Sequence, residues 1–279
     1  MLNTAIKAAR RAGNTILRYA RDLDRITVEN KGNYGGFVTE VDKASEKIIL
    51  ETLLDAYPDH HFLAEESGVI QARSSSDFQW IIDPLDGTTN FIHGLPHYAI
   101  SIALLHRGTL QQAVIFQPEQ NLLFTATRGA GAFLNDKRIR VSKRMHLRDS
   151  LIVTGFAYNP NRPLEFYREL QQGLASASSG LRNSGSSALD LAYCAAGWYD
   201  ATLQLGARSW DVAAGALLIQ EAGGMISDFN GDSNFVDCGH LIAATPKIFP
   251  VITQLLQEHM AKLSDPAKAL ASLQTQFTA

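Results

Sequence analysis

The sequence predicts a mixed α/β protein in which an α+β half (1–145) is followed by an α/β half (146–279). Three observations carry this. Between residues 98 and 127, three strand-like runs follow one another across short turns, the pattern of an antiparallel meander. From residue 151 onward, strand-like and helix-like segments alternate. At the start of the chain, the apolar or small residues Ile6, Ala9, Gly13, Ile16, Leu17 and Ala20 recur at helical spacing.

Taken in order, a first helix is followed by a second over Lys43–Ala56, which Pro58 ends. His61 to Leu63 is a short strand that leads through Ala64-Glu65-Glu66-Ser67-Gly68 into a loop, and Arg73 to Asp77 is a polar surface loop. Gln79 to Ile82 reads as the end of a buried strand. The meander comprises Tyr98–His106, Gln111–Phe116 and Leu122–Thr127, parted by turn signals at Gly108 and Pro118. Asn135-Asp136 marks a hairpin turn within Gly129–Ser142. The second half reads as a strand (Leu151–Gly155), two helices (Pro163–Leu174 and Ser186–Ala196) and a strand (Ala201–Leu205). A helix over Asp211–Ala222 is closed by Gly223-Gly224, and a helical tail runs from Pro250. No internal repeat or long linker is visible.

With 279 residues, 46% of them hydrophobic, the chain can bury a full core. A formal charge of -3 points to neither nucleic acid nor a membrane surface as the main partner. No apolar run approaches the roughly 20 residues that span a bilayer. The first residues are charged throughout and lack the apolar centre of a secretory signal. Cys194 and Cys238 have no metal-binding spacing and read as reduced thiols, so a cytoplasmic location is expected.

The chemistry concentrates in Ile82–Phe91, IDPLDGTTNF. Asp83 and Asp86 flank the rigid Pro84, and Gly87, Thr88 and Thr89 follow. A plain β-turn is one reading of D-P-x-D-G. The other uses the same turn to aim two carboxylates and the Leu85 carbonyl at one point, the oxygen-donor set that hard divalent cations take. The N–H groups of Gly87, Thr88 and Thr89, at a helix start, would favour a phosphate. Further acids join them. Glu65 stands at a strand-to-loop junction beside Glu66, and one of that pair faces away. Asp42 precedes the second helix, where an N-cap is the plain alternative. Asp211 opens the helix WDVAAGALLIQEAGG.

Four segments together resemble the inositol monophosphatase family of Mg²⁺-dependent, lithium-sensitive phosphatases. They are Lys31 with Phe37-Val38-Thr39-Glu40-Val41-Asp42, then Ala64 to Gly68, then Trp80 to Phe91, and finally Trp210 to Gly215 with Glu221 to Gly224. Leu134-Asn135 and Gly185-Ser186-Ser187-Ala188 also fit. The resemblance covers essentially the whole chain. It implies a layered αβαβα sandwich, usually a homodimer, that hydrolyses an inositol, sugar or polyol phosphomonoester with two or three Mg²⁺ ions per site. It implies that Glu65, Asp83 and the Leu85 carbonyl hold one metal, and that Asp83, Asp86 and Asp211 hold a second. Glu65 and Thr88 would orient the attacking water, Asp42 would take the threonine proton, and Lys31 would lie near the active-site loop. Gly87, Thr88, Gly185, Ser186 and Ser187 would meet phosphate or substrate, and Glu65, Leu85, Asp86 and Asp211 would border it. His93 and His97 read as structural.

One departure is Gln204, where many family members carry a Glu that binds sugar hydroxyls; an amide both donates and accepts. Fructose 1,6-bisphosphate and nucleotide phosphates are the alternative substrates. A phosphatase class with an Asp nucleophile uses Asp-x-Asp-Gly-Thr, one residue shorter, and leaves Glu65 and Asp211 unexplained. For some bacterial members the resemblance implies an added role in transcription complexes. The stretch suited to it is the basic run Lys137–Arg148, whose plainer reading is a solvated hairpin and loop with Ile139 and Val141 on a half-buried strand.

Overall fold

The computed structural model describes residues 1–30, 37–72, 75–156 and 164–263. Lys31, part of the loop expected at 73–77, Pro163 and the end of the helical tail lie outside these. The helices are α1 (Leu2–Tyr19), α2 (Glu40–Ala56), α3 (Thr88–Ile92), α4 (Leu164–Ala177), α5 (Ser187–Ala195), α6 (Ser209–Glu221) and α7 (Phe249–Met260). The strands are β1 (Val28–Asn30), β2 (Phe37–Thr39), β3 (His61–Ala64), β4 (Gly68–Ile70), β5 (Phe78–Asp86), β6 (Ala99–His106), β7 (Thr109–Gln117) and β8 (Leu122–Thr127). They continue with β9 (Gly131–Leu134), β10 (Lys137–Arg138), β11 (Leu151–Phe156), β12 (Gly180–Arg182), β13 (Ala201–Leu205), β14 (Met225–Ser227) and β15 (His240–Ala244).

Eight strands form one sheet, in the order β10-β9-β8-β7-β6-β5-β3-β4, and five form a second, β12-β11-β13-β15-β14. The expected meander from β5 to β10 is antiparallel throughout. The exception in this sheet is β3, which runs parallel to β5, with Ala64 opposite Ile82. Helices α1 and α2 cover one face of the large sheet over a core that includes Ile16, Ile49, Phe62 and Trp80. Helices α5 and α6 lie between the two sheets, and their small and aliphatic side chains (Ala188, Leu191, Ala213, Leu217) meet Ile115 and Phe124 on one side and Leu241 on the other. Helices α4 and α7 close the outer face of the small sheet through Phe166, Leu170, Ile252 and Leu256. The layers are therefore αβαβα, as the resemblance implies. Continuous apolar burial explains why α6 carries almost no amphipathic pattern: it is covered on both sides.

Close approach at α5 and α6 requires glycine. A Cβ at Gly215 would lie 2.4 Å from Leu191 Cβ. Asn135 and Asp136 both have positive φ, 45° and 65°, as a two-residue type I′ hairpin demands.

Three expectations shift. Helix α2 starts at Glu40 rather than Lys43, because Thr39 caps it and accepts from the N–H groups of Val41 and Asp42. Strands β12, β14 and β15 carry no strong strand signal; β12 and β14 have three residues each, and pairing with longer neighbours defines them. The basic run is a strand only at Lys137–Arg138. Beyond it, the Ile139 N–H still donates to the Ala132 carbonyl of β9 (2.9 Å), whereas Val141 is buried with its N–H donating to the Ala222 carbonyl at the end of α6 (3.2 Å), where the chain becomes a loop that closes over a helix. Among the described residues, no helix is long and apolar enough to cross a membrane.

Candidate active site

Strands β3 and β5 are parallel and end at the same edge of the large sheet, so the residues leaving them emerge side by side. The Glu65 N–H donates to the Ile82 carbonyl (3.1 Å), which extends the pairing one step and sets Glu65 beside Asp83. Residues three apart on a regular strand face opposite ways. A register shift against β6 breaks that alternation: Asp83 pairs with Ser101, and Asp86 with Ala99. The bulge sits at Pro84-Leu85, where proline has no N–H to lose from the ladder. Within it the Leu85 N–H donates back to Asp83 Oδ1 (2.9 Å), and Ser45 on α2 donates to the Pro84 carbonyl (2.7 Å). The plain β-turn reading of D-P-x-D-G does not hold: the segment is the end of β5, bent by a bulge with an Asx-type bond.

Asp211 arrives from the other half of the chain, in the first turn of α6, where the Arg208 N–H donates to its Oδ2 (2.6 Å). Ser101 on β6 donates to the Trp210 carbonyl (3.0 Å) and pins that turn to the large sheet. Oxygens of Asp83, Asp86 and Asp211 all lie within 4.8 Å of one another. Asp86 also reaches across the chain, accepting from the Ser186 hydroxyl and from the Ala188 N–H (2.9 Å) at the start of α5.

Burial holds all three carboxyls above the usual carboxylate range. For Asp83 it is joined by the charges of Glu65, Asp86 and Asp211, and for Asp211 by those of Asp86 and Glu65. Asp86 rises to about 6, burial outweighing the bonds from Ser186 and Ala188. Acids that raise one another in this way favour a counter-charge at their centre, of which Arg208 supplies only a part, beside Asp211. A divalent cation supplies one, and the donor set of carboxylates with the Leu85 carbonyl near them suits a hard metal.

Thr88 opens α3 after Gly87, whose φ of 92° and closeness to the His97 carbonyl (3.0 Å from a Cβ) exclude other residues. The Thr88 hydroxyl lies 3.0 Å from Asp42 Oδ1 and 3.1 Å from the Leu85 carbonyl. It has one proton, and the charge-assisted bond to an ionised Asp42 leaves its lone pairs for a water. Asp42 serves two partners. Its Oδ2 accepts from the Thr39 N–H (2.8 Å) and hydroxyl (2.6 Å) in a capping box, while Oδ1 faces Thr88. Thr39, not Asp42, is the cap. Burial raises the Asp42 carboxyl.

Gly185, Ser186 and Ser187 lead into α5 beside this cluster. Gly185 has φ 82°, and a Cβ there would meet the Asn90 amide at 2.9 Å. Asn90 donates to the His97 (2.7 Å) and Ser184 (2.9 Å) carbonyls and so ties the Asp86 loop to the second half of the chain. A cavity of about 170 Å³ opens here, lined by Gly155, Phe156, Ser187, Asp190, Gln204 and Asp211 among others. His97 packs edge-on against Tyr193, as a structural histidine would.

Two residues escaped sequence reasoning. Buried Glu46, one turn past Asp42 on α2, accepts from the Glu66 N–H (2.8 Å) and the Ser67 hydroxyl, fixing the loop that carries Glu65. Its i+4 spacing from Asp42 was the available signal. Buried Asp190 accepts from Ser184 (2.5 Å) and Gln204 (3.0 Å). It looked like an ordinary first-turn acid.

The inositol monophosphatase family model matches residues 1–263. A Pseudomonas aeruginosa protein named Nus factor SuhB is 46% identical over 263 residues, covering 93% of this chain and 97% of that protein. The structure of the extragenic suppressor protein suhB from Bartonella henselae superposes with a TM-score of 0.88 at 39% identity, over 92% of this chain and 98% of that one. That of an inositol monophosphatase from Anabaena gives 0.82 at 37%, over 92% and 95%.

Proposed function

Because this chain belongs to the inositol monophosphatase family, we propose that it is a Mg²⁺-dependent phosphomonoesterase for inositol monophosphate or a related polyol phosphate. The observation that carries the reading is the convergence of Asp83, Asp86 and Asp211, whose carboxylate oxygens lie within 4.8 Å of one another, the first two buried and the third half-buried. These three, with Glu65 and the Leu85 carbonyl, would hold Mg²⁺. Bound there, Mg²⁺ neutralises the phosphate and lowers the pKa of a water. The protein's own groups do the rest. Thr88, with Asp42 as acceptor, orients the water; the N–H groups at the start of α3, and Ser186 and Ser187 at the start of α5, border the phosphate; the cavity beside Gln204 takes the alcohol. Positioning of this kind is most of what phosphoryl transfer asks of a protein.

Phosphate release should be measured with inositol 1-phosphate, fructose 1,6-bisphosphate and a nucleoside 2′-phosphate, with and without Mg²⁺ and lithium. Inositol 1-phosphate is expected to be the best substrate, with release that needs Mg²⁺ and is slowed by lithium. Absence of Mg²⁺-dependent release from all three overturns the reading.

A second reading, an added role in transcription complexes, is favoured by relatives named Nus factor and by one surface of this chain. Lys137, Arg138, Arg140, Lys143, Arg144 and Arg148 are all exposed, and no acid interrupts the run. Trp198, 46% exposed, emerges beside it, because Gly197 packs on the backbone of Arg140 and Ser142. Arg144 is paired with Asp200 (3.1 Å). Cations with an exposed aromatic ring suit single-stranded RNA. Replacing Lys137, Arg138, Arg140 and Lys143 together by Gln is expected to abolish salt-dependent retention on RNA-bearing transcription complexes and to leave phosphate release unchanged. Unaltered retention rejects this surface.

A further inference from the structure

Gln204 carries the departure from the family pattern, and its surroundings determine what that departure presents to a ligand. The side chain is 1% exposed. Its Nε2 donates to Asp190 Oδ2 (3.0 Å) and to Thr202 Oγ1 (2.9 Å), and its Oε1 accepts from the Ser187 hydroxyl (3.0 Å). Both amide protons are therefore spent on the protein. Rotating the amide by half a turn would lose the bonds to Asp190 and Thr202 and, whenever the Asp190 carboxyl (raised by burial to about 7) is ionised, would set Oε1 against it, acceptor against acceptor. Asp190 cannot yield, because its other oxygen is held by Ser184 (2.5 Å) and it is itself 1% exposed. The neighbouring strand completes the lock. Gly155 on β11 lies opposite Gln204 on β13, and a Cβ there would fall 1.6 Å from Oε1. The carbonyl thus occupies the space that glycine leaves, on the wall shared by Gly155, Ser187 and Gln204 in the 170 Å³ cavity.

We propose that Asp190, with Gly155, is a positioning element that holds the Gln204 amide with its carbonyl toward the cavity, so that this wall offers a neutral acceptor to a hydroxyl of the substrate's alcohol. The inference rests on the phosphatase reading and refines it to substrate class: hydroxyl-bearing alcohols. An amide that could turn would offer donors as readily as an acceptor. One locked by a carboxylate keeps the acceptor face of a glutamate without its charge.

The test compares wild type, Asp190→Asn, Gln204→Glu and the double variant on inositol 1-phosphate and on phenyl phosphate, whose alcohol has no further hydroxyl. Asp190→Asn is expected to raise KM for inositol 1-phosphate about tenfold with kcat within about twofold, the signature of lost ground-state binding worth one hydrogen bond. KM for phenyl phosphate should not move. The double variant exchanges amide and carboxylate, restores the donor–acceptor pair and should return KM to within about threefold of wild type. Equal KM changes on both substrates, or no rescue, overturn the proposal. A second readout is independent of turnover. In glutamine-¹⁵N-labelled protein, the side-chain NH₂ signal that Gln204→Glu removes should exchange slowly in wild type and at least about tenfold faster in Asp190→Asn. Equal exchange rejects the lock even if neither ester is hydrolysed, whereas slow exchange without hydrolysis rejects only the phosphatase reading.

Discussion

An Asp83→Asn variant is expected to fold, to melt no lower than wild type in the absence of metal, and to lose Mg²⁺-dependent phosphate release by at least about 10³-fold in kcat/KM. The fold should survive because the bond that shapes the bulge survives: an asparagine Oδ1 accepts the Leu85 N–H as the carboxylate oxygen does. The removed charge is one the metal-free protein carries at a cost. Asp83 is buried and raised by burial and by the charges of Glu65, Asp86 and Asp211. An amide lifts that repulsion, so loss of function should accompany equal or higher metal-free stability, the trade expected where a site is built for a ligand. Melting in chelator and phosphate release in Mg²⁺ together make the measurement. Near-normal release would reject the metal assignment.

Magnesium should stabilise the protein far more at pH 8 than at pH 5. In the unfolded chain these carboxyls titrate near 4. In the folded, metal-free chain Asp86 titrates at about 6, and Asp83 and Asp211 are also raised well above their ordinary values. Between those limits the folded state binds more protons than the unfolded one. The stabilising contribution is therefore full at the acid end and is lost as pH rises through about 6. The Asp86 shift alone corresponds to about 3 kcal/mol, or roughly 6–12 °C in a chain of this size. Mg²⁺ binds the ionised acids and offsets that loss, whereas at pH 5 it must first displace protons. The rise in melting temperature on adding Mg²⁺, measured at both pH values, checks this. An equal rise at pH 5 and pH 8 would show that the three acids do not share the metal.

Much of the site is legible because its chemistry is local. Asp83, Pro84, Leu85, Asp86, Gly87 and Thr88 are consecutive, and the bulge, the Asx bond and the helix start that use them form within those residues. Capping residues and the Asn135-Asp136 hairpin are legible for the same reason. The basic run was less so. Charge alternating with Ile139 and Val141 looks the same whether a strand pairs with a neighbour or a loop tucks its apolar residues under α6, and only the Val141–Ala222 bond separates the two. Short strands such as β14 have no pattern of their own.

By itself the sequence determined the acids, the order of the motifs and the αβαβα class, because backbone preference, hydrophobic spacing and family pattern are written along the chain. Tertiary structure decided which acids meet. Glu65 stands beside Asp83 because β3 runs parallel to β5 in one register, and Asp86 shares a centre with Asp211 because a bulge breaks the alternation of β5 and α6 packs on its sheet. It also decided the meaning of Gln204. The residue type allows two faces of an amide, and only Asp190 and Gly155, brought against it by folding, fix which one is offered. Hydrogen bonds act over about 3 Å, and residues far apart in sequence come within that range only when strands and helices have packed.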